Sequence, residues 1–136
     1  MITNKADKDK SSGSKSYQIT FEQRPQYLYV YVTGEHDSYE ISRAYWLEVA
    51  EHCRKLNCNK ILIEEDIPEA VSLTEMYQLA TELPQMGFLG VRVAFFDRYA
   101  GQQELNEFGE LVASNRGLYG KIFNNINEAE TWLLSI

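Results

Sequence analysis

Four acidic residues stand where two apolar runs of the chain end. Glu64, Glu65 and Asp66 follow one run, and Asp97 follows the other. Short continuous apolar runs are typical of strands that are buried on both faces of a parallel sheet. Ligands of open α/β sheets bind beyond the carboxyl ends of such strands. These four acids are therefore the first candidates for a functional site.

Three kinds of site could use this acidic cluster. The first is a site for metal or phosphoryl chemistry, because carboxylate oxygens bind Mg²⁺. A receiver domain, which accepts a phosphoryl group, also needs a lysine after its last strand, whereas Lys121 lies within that strand. Acid–base catalysis is the second, although the chain has no Gly-x-Ser-x-Gly elbow, phosphate-binding glycine loop or HExxH motif. The third is a solvated acidic rim that docks a partner. The third is favoured, so we expect no enzyme activity, metal or cofactor.

Three alternating tyrosines form a second candidate surface. Tyr27, Tyr29 and Tyr31 share one face of their strand, because successive side chains of a strand point to opposite faces. A tight hairpin that pairs Arg24 with Tyr27 places Glu22 opposite Tyr29, on a face without aliphatic partners. An exposed tyrosine face buries much area at low entropy cost when it meets a partner. In the alternative interpretation, a helix covers the three rings.

Composition restricts the partners that the chain can have. Its 136 residues carry a net charge of −7, which disfavours binding to nucleic-acid phosphates and to anionic lipid headgroups. No run approaches the roughly 20 apolar residues that span a bilayer, and we expect no secretory signal. Cys53 and Cys58 fit neither a redox motif nor a zinc site. We therefore expect two free thiols and a cytoplasmic location.

The patterning predicts one α/β domain behind a short tail. Residues 1–16 are rich in Lys, Ser and Asp, and we predict that they are disordered. Residues 17–136 alternate in the order β-β-α-β-α-β-α-β-α, by their periods of two and of 3.6 residues. Strands that alternate with helices imply a mainly parallel sheet, and the opening hairpin makes it mixed. We expect about five strands and four helices.

Capping residues place the helices that would position these acids. Ser38 precedes the apolar stripe of the first helix, and Ser72 with Glu75 forms a capping box for the second. Gly117 suits the C-terminal end of the third helix, and Asn127 is predicted to cap the fourth. These residues indicate where the helices between the strands begin and end.

Several segments of the chain occur together, in the same order, in a known family. They are the opening hairpin, the strand 61–65 before the capped helix 72–83, the run 94–97 followed by Phe108 and 115–117, and Phe123 followed by 128–129 and 132–133. Together they resemble STAS-like domains, the anti-sigma-factor-antagonist-like α/β family of bacteria. The resemblance covers residues 17–136. It implies a non-catalytic signalling module of the bacterial cytoplasm that binds a regulatory protein or itself.

Some members of that family act as phosphorylation switches. They use a serine or threonine at the start of the helix after the central strand. The matching loop here, 64–71, lacks such a residue, and Ser72 is the nearest hydroxyl. The resemblance therefore implies Ser72 as a phosphorylation candidate, whereas its capping position favours a structural role. A phosphate would be attracted by the helix N-terminus but repelled by Glu69 and Glu75.

A second class of function is a carrier of a small apolar ligand. A cavity between sheet and helices, lined by Trp46, Tyr77, Phe95 and Phe108, would favour the carrier. A flat tyrosine surface and a filled core would favour the protein-binding module. The binding residues predicted for that module are Tyr27, Tyr29, Tyr31, Glu64, Glu65, Asp66 and Asp97.

Overall fold

The computed structural model describes residues 16–135. The predicted tail, apart from Ser16, lies outside this range, as does Ile136. Within it, five strands and four α-helices follow the predicted order and confirm the α/β fold class. They are β1 (Gln18–Gln23), β2 (Leu28–Thr33), α1 (Tyr39–Leu56), β3 (Lys60–Asp66), α2 (Leu73–Glu82), β4 (Arg92–Asp97), α3 (Gln103–Ser114), β5 (Tyr119–Phe123) and α4 (Ile126–Leu133). None of these helices is long and apolar enough to cross a membrane.

The five strands form one mixed sheet in the order β1-β2-β3-β4-β5. β1 runs antiparallel to β2, and the remaining neighbours are parallel. The hairpin has the predicted register: Ile19 lies opposite Val32, and Phe21 lies opposite Val30. The amide of Arg24 donates to the carbonyl oxygen of Tyr27 at 2.9 Å, which closes the turn as the sequence predicted.

Helices cover both faces of this sheet. On one face, Ile63 and Phe95 pack with Trp46 of α1 in the larger core cluster, and α2 and α3 lie over the same side. On the other face, Leu62 packs with Leu133 of α4 in a smaller cluster. We call these the α1–α3 face and the α4 face. Because side chains alternate along each strand, neighbouring residues of one strand serve different faces.

The predicted caps are largely present. The Ser38 side chain accepts a hydrogen bond from the first turn of α1. Ser72 and Glu75 form the predicted capping box, with hydrogen bonds of 3.0 and 3.1 Å. Asn125, rather than Asn127, caps α4. The fourth helix therefore begins earlier than its apolar pattern indicated.

The prediction of two free thiols is wrong, because Cys53 and Cys58 form a disulfide. Asn57 adopts a left-handed conformation at the end of α1, with φ of 54°. This turn brings Cys58 back towards the last turn of the helix. Its amide donates to the Cys53 carbonyl oxygen, and the two Cα atoms lie 5.2 Å apart, within the range that a disulfide requires.

Candidate ligand-binding site

The sheet register divides the four acids between its two faces. Glu65 and Asp97 are paired neighbours on β3 and β4, and they point to the α1–α3 face with Ile63 and Phe95. Glu64 and Asp66 point to the α4 face. Glu64, Glu65 and Asp97 are only 5%, 4% and 2% exposed. The interpretation of these three acids as a solvated rim is therefore wrong, because the surrounding side chains cover the strand ends.

On the α4 face, the predicted tyrosines and acids form one hydrogen-bonded network. The Tyr29 hydroxyl donates to Glu64 Oε1 at 2.5 Å, and Tyr31 donates to Asp66 Oδ2 at 2.5 Å. Arg98 Nε donates to Glu64 Oε2 at 2.6 Å, and Arg98 Nη1 lies 3.4 Å from Asp66. The Tyr31 hydrogen bond lowers the pKa of Asp66. These acids are thus already paired with donors from the protein itself.

The tyrosine row is not a flat exposed surface. Tyr27 is 5% exposed, packs in the cluster under α4 and donates to Glu130 Oε2 at 2.6 Å. The Arg24 guanidinium lies 4.0 Å from the ring centroid of Tyr29. The alternative in which a helix covers the ring holds for Tyr27, while Tyr29 and Tyr31 are half-buried. A binding role for the row stays a prediction.

On the α1–α3 face, two buried carboxyl groups lie on neighbouring strands. Tyr45 of α1 donates to Glu65 Oε2, and Glu65 is the paired neighbour of Asp97 in the sheet. Asn106 Nδ2 donates to Asp97 Oδ2 at 2.8 Å. Ionised carboxylates only accept hydrogen bonds. Two ionised carboxylates would therefore repel each other here, because neither can donate a hydrogen bond to the other.

A third carboxyl, Asp37, acts on this pair from the loop before α1. Its Oδ1 accepts hydrogen bonds from Ser42 Oγ at 2.7 Å and from the Ser38 amide at 2.8 Å. Burial raises the pKa of Asp37 to about 6, against the lowering effect of these donors. Burial first, and then the charges of Asp37 and Asp97, raise the pKa of Glu65 well above its usual value. Burial also raises the pKa of Asp97. We call Asp37, Glu65 and Asp97 the carboxyl cluster.

A cavity of about 90 Å³ adjoins this cluster, between the sheet and α1–α3. Its polar end contains Asp37, Glu65, Ser42 and Asn106. Its walls are mainly apolar, with contributions from all three helices and from β4. The wall residues include Trp46, Leu79, Ala80, Val93, Phe95 and Ala113. A cavity of roughly 150 Å³ holds benzene, so this one encloses only part of a molecule of that size.

The predicted aromatic lining is half correct. Trp46 and Phe95 line the cavity, whereas Tyr77 and Phe108 are not among its lining residues. Those two rings contact each other instead, with centroids 6.5 Å apart, and Tyr77 is half exposed.

Hydrogen bonds from α1 hold α2 in place beside this cavity. The Tyr39 hydroxyl donates to Glu82 at 2.7 Å, and the Tyr39 amide donates to Glu75 at 3.3 Å. α2 also lies close against α3, where a Cβ on Gly109 would come within 2.6 Å of Met76 Sδ. Gly109 therefore permits a short distance between the two helices that enclose the cavity.

Sequence reasoning missed Ser42, Tyr45 and Asn106. Ser42 and Tyr45 precede Trp46 and Val49 by four residues each, so they share the buried stripe of α1. That spacing was a usable signal for two polar side chains on a buried face. Asn106 had no comparable signal, because its role depends on where α3 lies relative to Asp97.

Two further predictions concern metal binding and Ser72. In residues 16–135, no group of three or more His, Cys, Asp or Glu side chains is placed to hold a metal ion. Ser72 is exposed and caps α2, and its phosphorylation stays a prediction.

Comparison with known proteins adds no relative to this description. No family model matches the chain, and neither does any curated protein sequence. The STAS-like resemblance therefore stays a prediction from the sequence.

Proposed function

We propose that this protein is a non-catalytic carrier that holds a small, mainly apolar molecule between its sheet and α1–α3. The observation that supports the proposal is the cavity beside the carboxyl cluster. Binding sites for small molecules are concave and mostly apolar, with a few polar groups that fix the orientation of the ligand. Trp46, Val93 and Phe95 supply the apolar walls, while Asp37 and Glu65 supply the polar end.

The arrangement of the polar end favours binding over catalysis. The hydroxyl of Ser42 donates to Asp37, and that of Tyr45 donates to Glu65. Among the described residues that line this end of the cavity, there is no histidine, lysine or cysteine beside either hydroxyl. A nucleophile needs such a base or a lowered pKa to react. The hydroxyls therefore support the shape of the site rather than a reaction.

The two tryptophans of the chain allow a direct test of the carrier. Trp46 lines the cavity, and Trp132 packs on the α4 face. We would titrate ¹⁵N-labelled protein with n-butanol and with n-butylamine, and follow the two indole N–H resonances. Saturable shifts of Trp46 without shifts of Trp132 are expected for at least one probe. Absence of any saturable Trp46 shift with both probes would contradict the proposal.

A cavity-filling variant provides the control for this titration. Ala80 lines the cavity and is buried, so Ala80→Leu places additional atoms in the binding space. Overpacking costs typically about 1–3 kcal/mol, so folding of the variant must be verified by its spectrum. The folded variant should lose the Trp46 shift. An unchanged titration in the variant would show that the probes bind elsewhere.

A second candidate function is self-association through the outer surface of α2 and α3. Leu73, Tyr77 and Leu111 are 62%, 49% and 60% exposed, and Tyr77 contacts Phe108 one turn before Leu111. Two large apolar side chains of α2 are thus exposed. This surface, rather than the tyrosine row, supports the protein-binding module that the STAS-like resemblance implies. A bacterial cytoplasmic location rests on that resemblance alone, since the expected free thiols form a disulfide.

Sedimentation velocity at increasing protein concentration would test self-association. If this surface is an interface, Leu111→Ser should shift the protein towards monomer. Leu89→Ser is the control, because Leu89 is highly exposed but lies outside α2 and α3. A wild-type protein that stays monomeric at all concentrations would exclude this candidate.

A further inference from the structure

Every side-chain donor group at the polar end of the cavity already donates to a protein acceptor. Tyr45 donates to Glu65, Ser42 to Asp37 at 2.7 Å, and Asn106 to Asp97 at 2.8 Å. What this end can offer an occupant is carboxyl oxygen, which accepts hydrogen bonds when it is ionised. A molecule that binds here must therefore bring its own donors.

No basic side chain in the described part of the chain pairs with the carboxyl cluster. The ion pairs among these residues include none of its three members. Arg98, which follows Asp97 in the chain, pairs with Glu64 on the opposite face of the sheet. Lys121 is the basic residue that lines the cavity, but its Nζ lies 5.9 Å from the ring centroid of Phe123, which packs under α4. The cluster is thus without a counter-cation from the described residues.

Burial of an ionised carboxylate without a cation costs free energy. A protein avoids this cost when the carboxylate is protonated or pairs with a cation. The cavity adjoins the cluster directly, since Asp37, Glu65 and Asn106 belong to its lining. A cation that enters the cavity would therefore find carboxylate acceptors at one end and apolar walls around the rest. The small volume restricts the buried part of the molecule to a short apolar segment.

We propose that the occupant of the cavity is a small organic cation, with an ammonium head at Asp37 and Glu65 and a short apolar body against Trp46 and Val93. This inference rests on the proposed carrier function and specifies the class of its ligand. The ammonium group supplies both the charge and the hydrogen-bond donors that the polar end lacks. A neutral molecule of the same length fills the apolar part but leaves the carboxylates unpaired.

The test compares n-butylammonium with n-butanol at pH 7, using the Trp46 indole resonance as the reporter. n-Butylammonium should bind with a dissociation constant at least tenfold lower than that of n-butanol. Glu65→Gln, which keeps the shape of the side chain but cannot ionise, should weaken n-butylammonium binding at least tenfold. The same variant should leave n-butanol binding unchanged.

Glu64→Gln is the matched control for this substitution. Glu64 is adjacent in the chain and as buried as Glu65, yet it faces Tyr29 and Arg98. Its substitution should leave the binding of both probes unchanged. This result would distinguish binding inside the cavity from the general attraction of an acidic protein for cations. If Glu65→Gln fails to fold, Asp37→Asn must show the same selective loss of n-butylammonium binding.

Three outcomes separate this inference from the carrier function. Preferential binding of n-butylammonium that depends on Glu65 supports both. Equal binding of the two probes overturns the cationic ligand and leaves the carrier function in place. A Trp46 resonance that responds to neither probe overturns both.

Discussion

Asp37 allows a quantitative test of the carboxyl cluster by mutation to asparagine. Burial raises its pKa from 3.8 to about 6, a shift of about 2 pKa units. Each unit corresponds to about 1.4 kcal/mol of differential interaction. Ionised Asp37 therefore destabilises the folded state by up to about 3 kcal/mol. An asparagine side chain at this position cannot ionise, and its amide oxygen can still accept the hydrogen bonds from Ser38 and Ser42.

The direction of the pH dependence follows from proton binding. Because the folded pKa lies above the unfolded pKa, the folded protein binds more protons between about pH 4 and pH 6. Below about pH 4, Asp37 is protonated in both the folded and the unfolded state, so it does not lower the unfolding free energy. Its penalty grows as the pH rises to about 6 and is complete above that value. Relative to wild type, Asp37→Asn should thus gain up to about 3 kcal/mol in unfolding free energy between about pH 4 and pH 8.

Urea unfolding of both proteins at pH 4, 6 and 8 measures this difference. The comparison between variant and wild type is needed because Asp66 and Glu75 have lowered pKa values and change stability in the opposite direction. Asp66→Asn is the control, and it should be less stable than wild type at pH 8. A difference between Asp37→Asn and wild type that does not change with pH would refute the reasoning, as would a less stable variant at pH 8.

Three further predictions concern stability, each measured as an unfolding free energy at pH 7. Tyr27→Ala should cost about 3–5 kcal/mol, as deletion of a core aromatic does, whereas Tyr31→Ala on the half-buried end of the row should cost far less; equal losses would contradict the difference in burial. Reduction of the Cys53–Cys58 disulfide should cost about 2 kcal/mol for so short a loop, and no response to reductant would indicate free thiols. Ser72→Ala should cost about 1 kcal/mol through the lost capping box, and an unchanged midpoint would contradict that role.

Local patterns were sufficient for most of the fold. The alternation in 17–21 and 27–32 predicted both the hairpin and its register, because a slip by one residue would turn every aliphatic side chain to the wrong face. Ser38 and the Ser72–Glu75 box marked the starts of α1 and α2, because their side chains satisfy amides that the helix leaves free. Asn127 misled because Asn125, two residues earlier, can do the same.

The site was harder to predict because it depends on how the helices pack against the strands. The sequence analysis named the acids at the strand ends, but it did not divide them between the two faces of the sheet, although the alternation of Ile63 with Glu65 implies that division. Burial of Glu65 follows from the position of Tyr45 on α1, which no local pattern in β3 reports. The disulfide likewise depends on the left-handed turn at Asn57 rather than on cysteine spacing.

The cavity can be tested most directly by locating a bound probe. We would record intermolecular nuclear Overhauser effects from n-butylammonium to methyl-labelled protein. Contacts to the methyl groups of Leu79 and Val93, which line the cavity, are the predicted result. Contacts confined to exposed side chains such as Leu73 and Leu89 would contradict the claim that this cavity is the binding site.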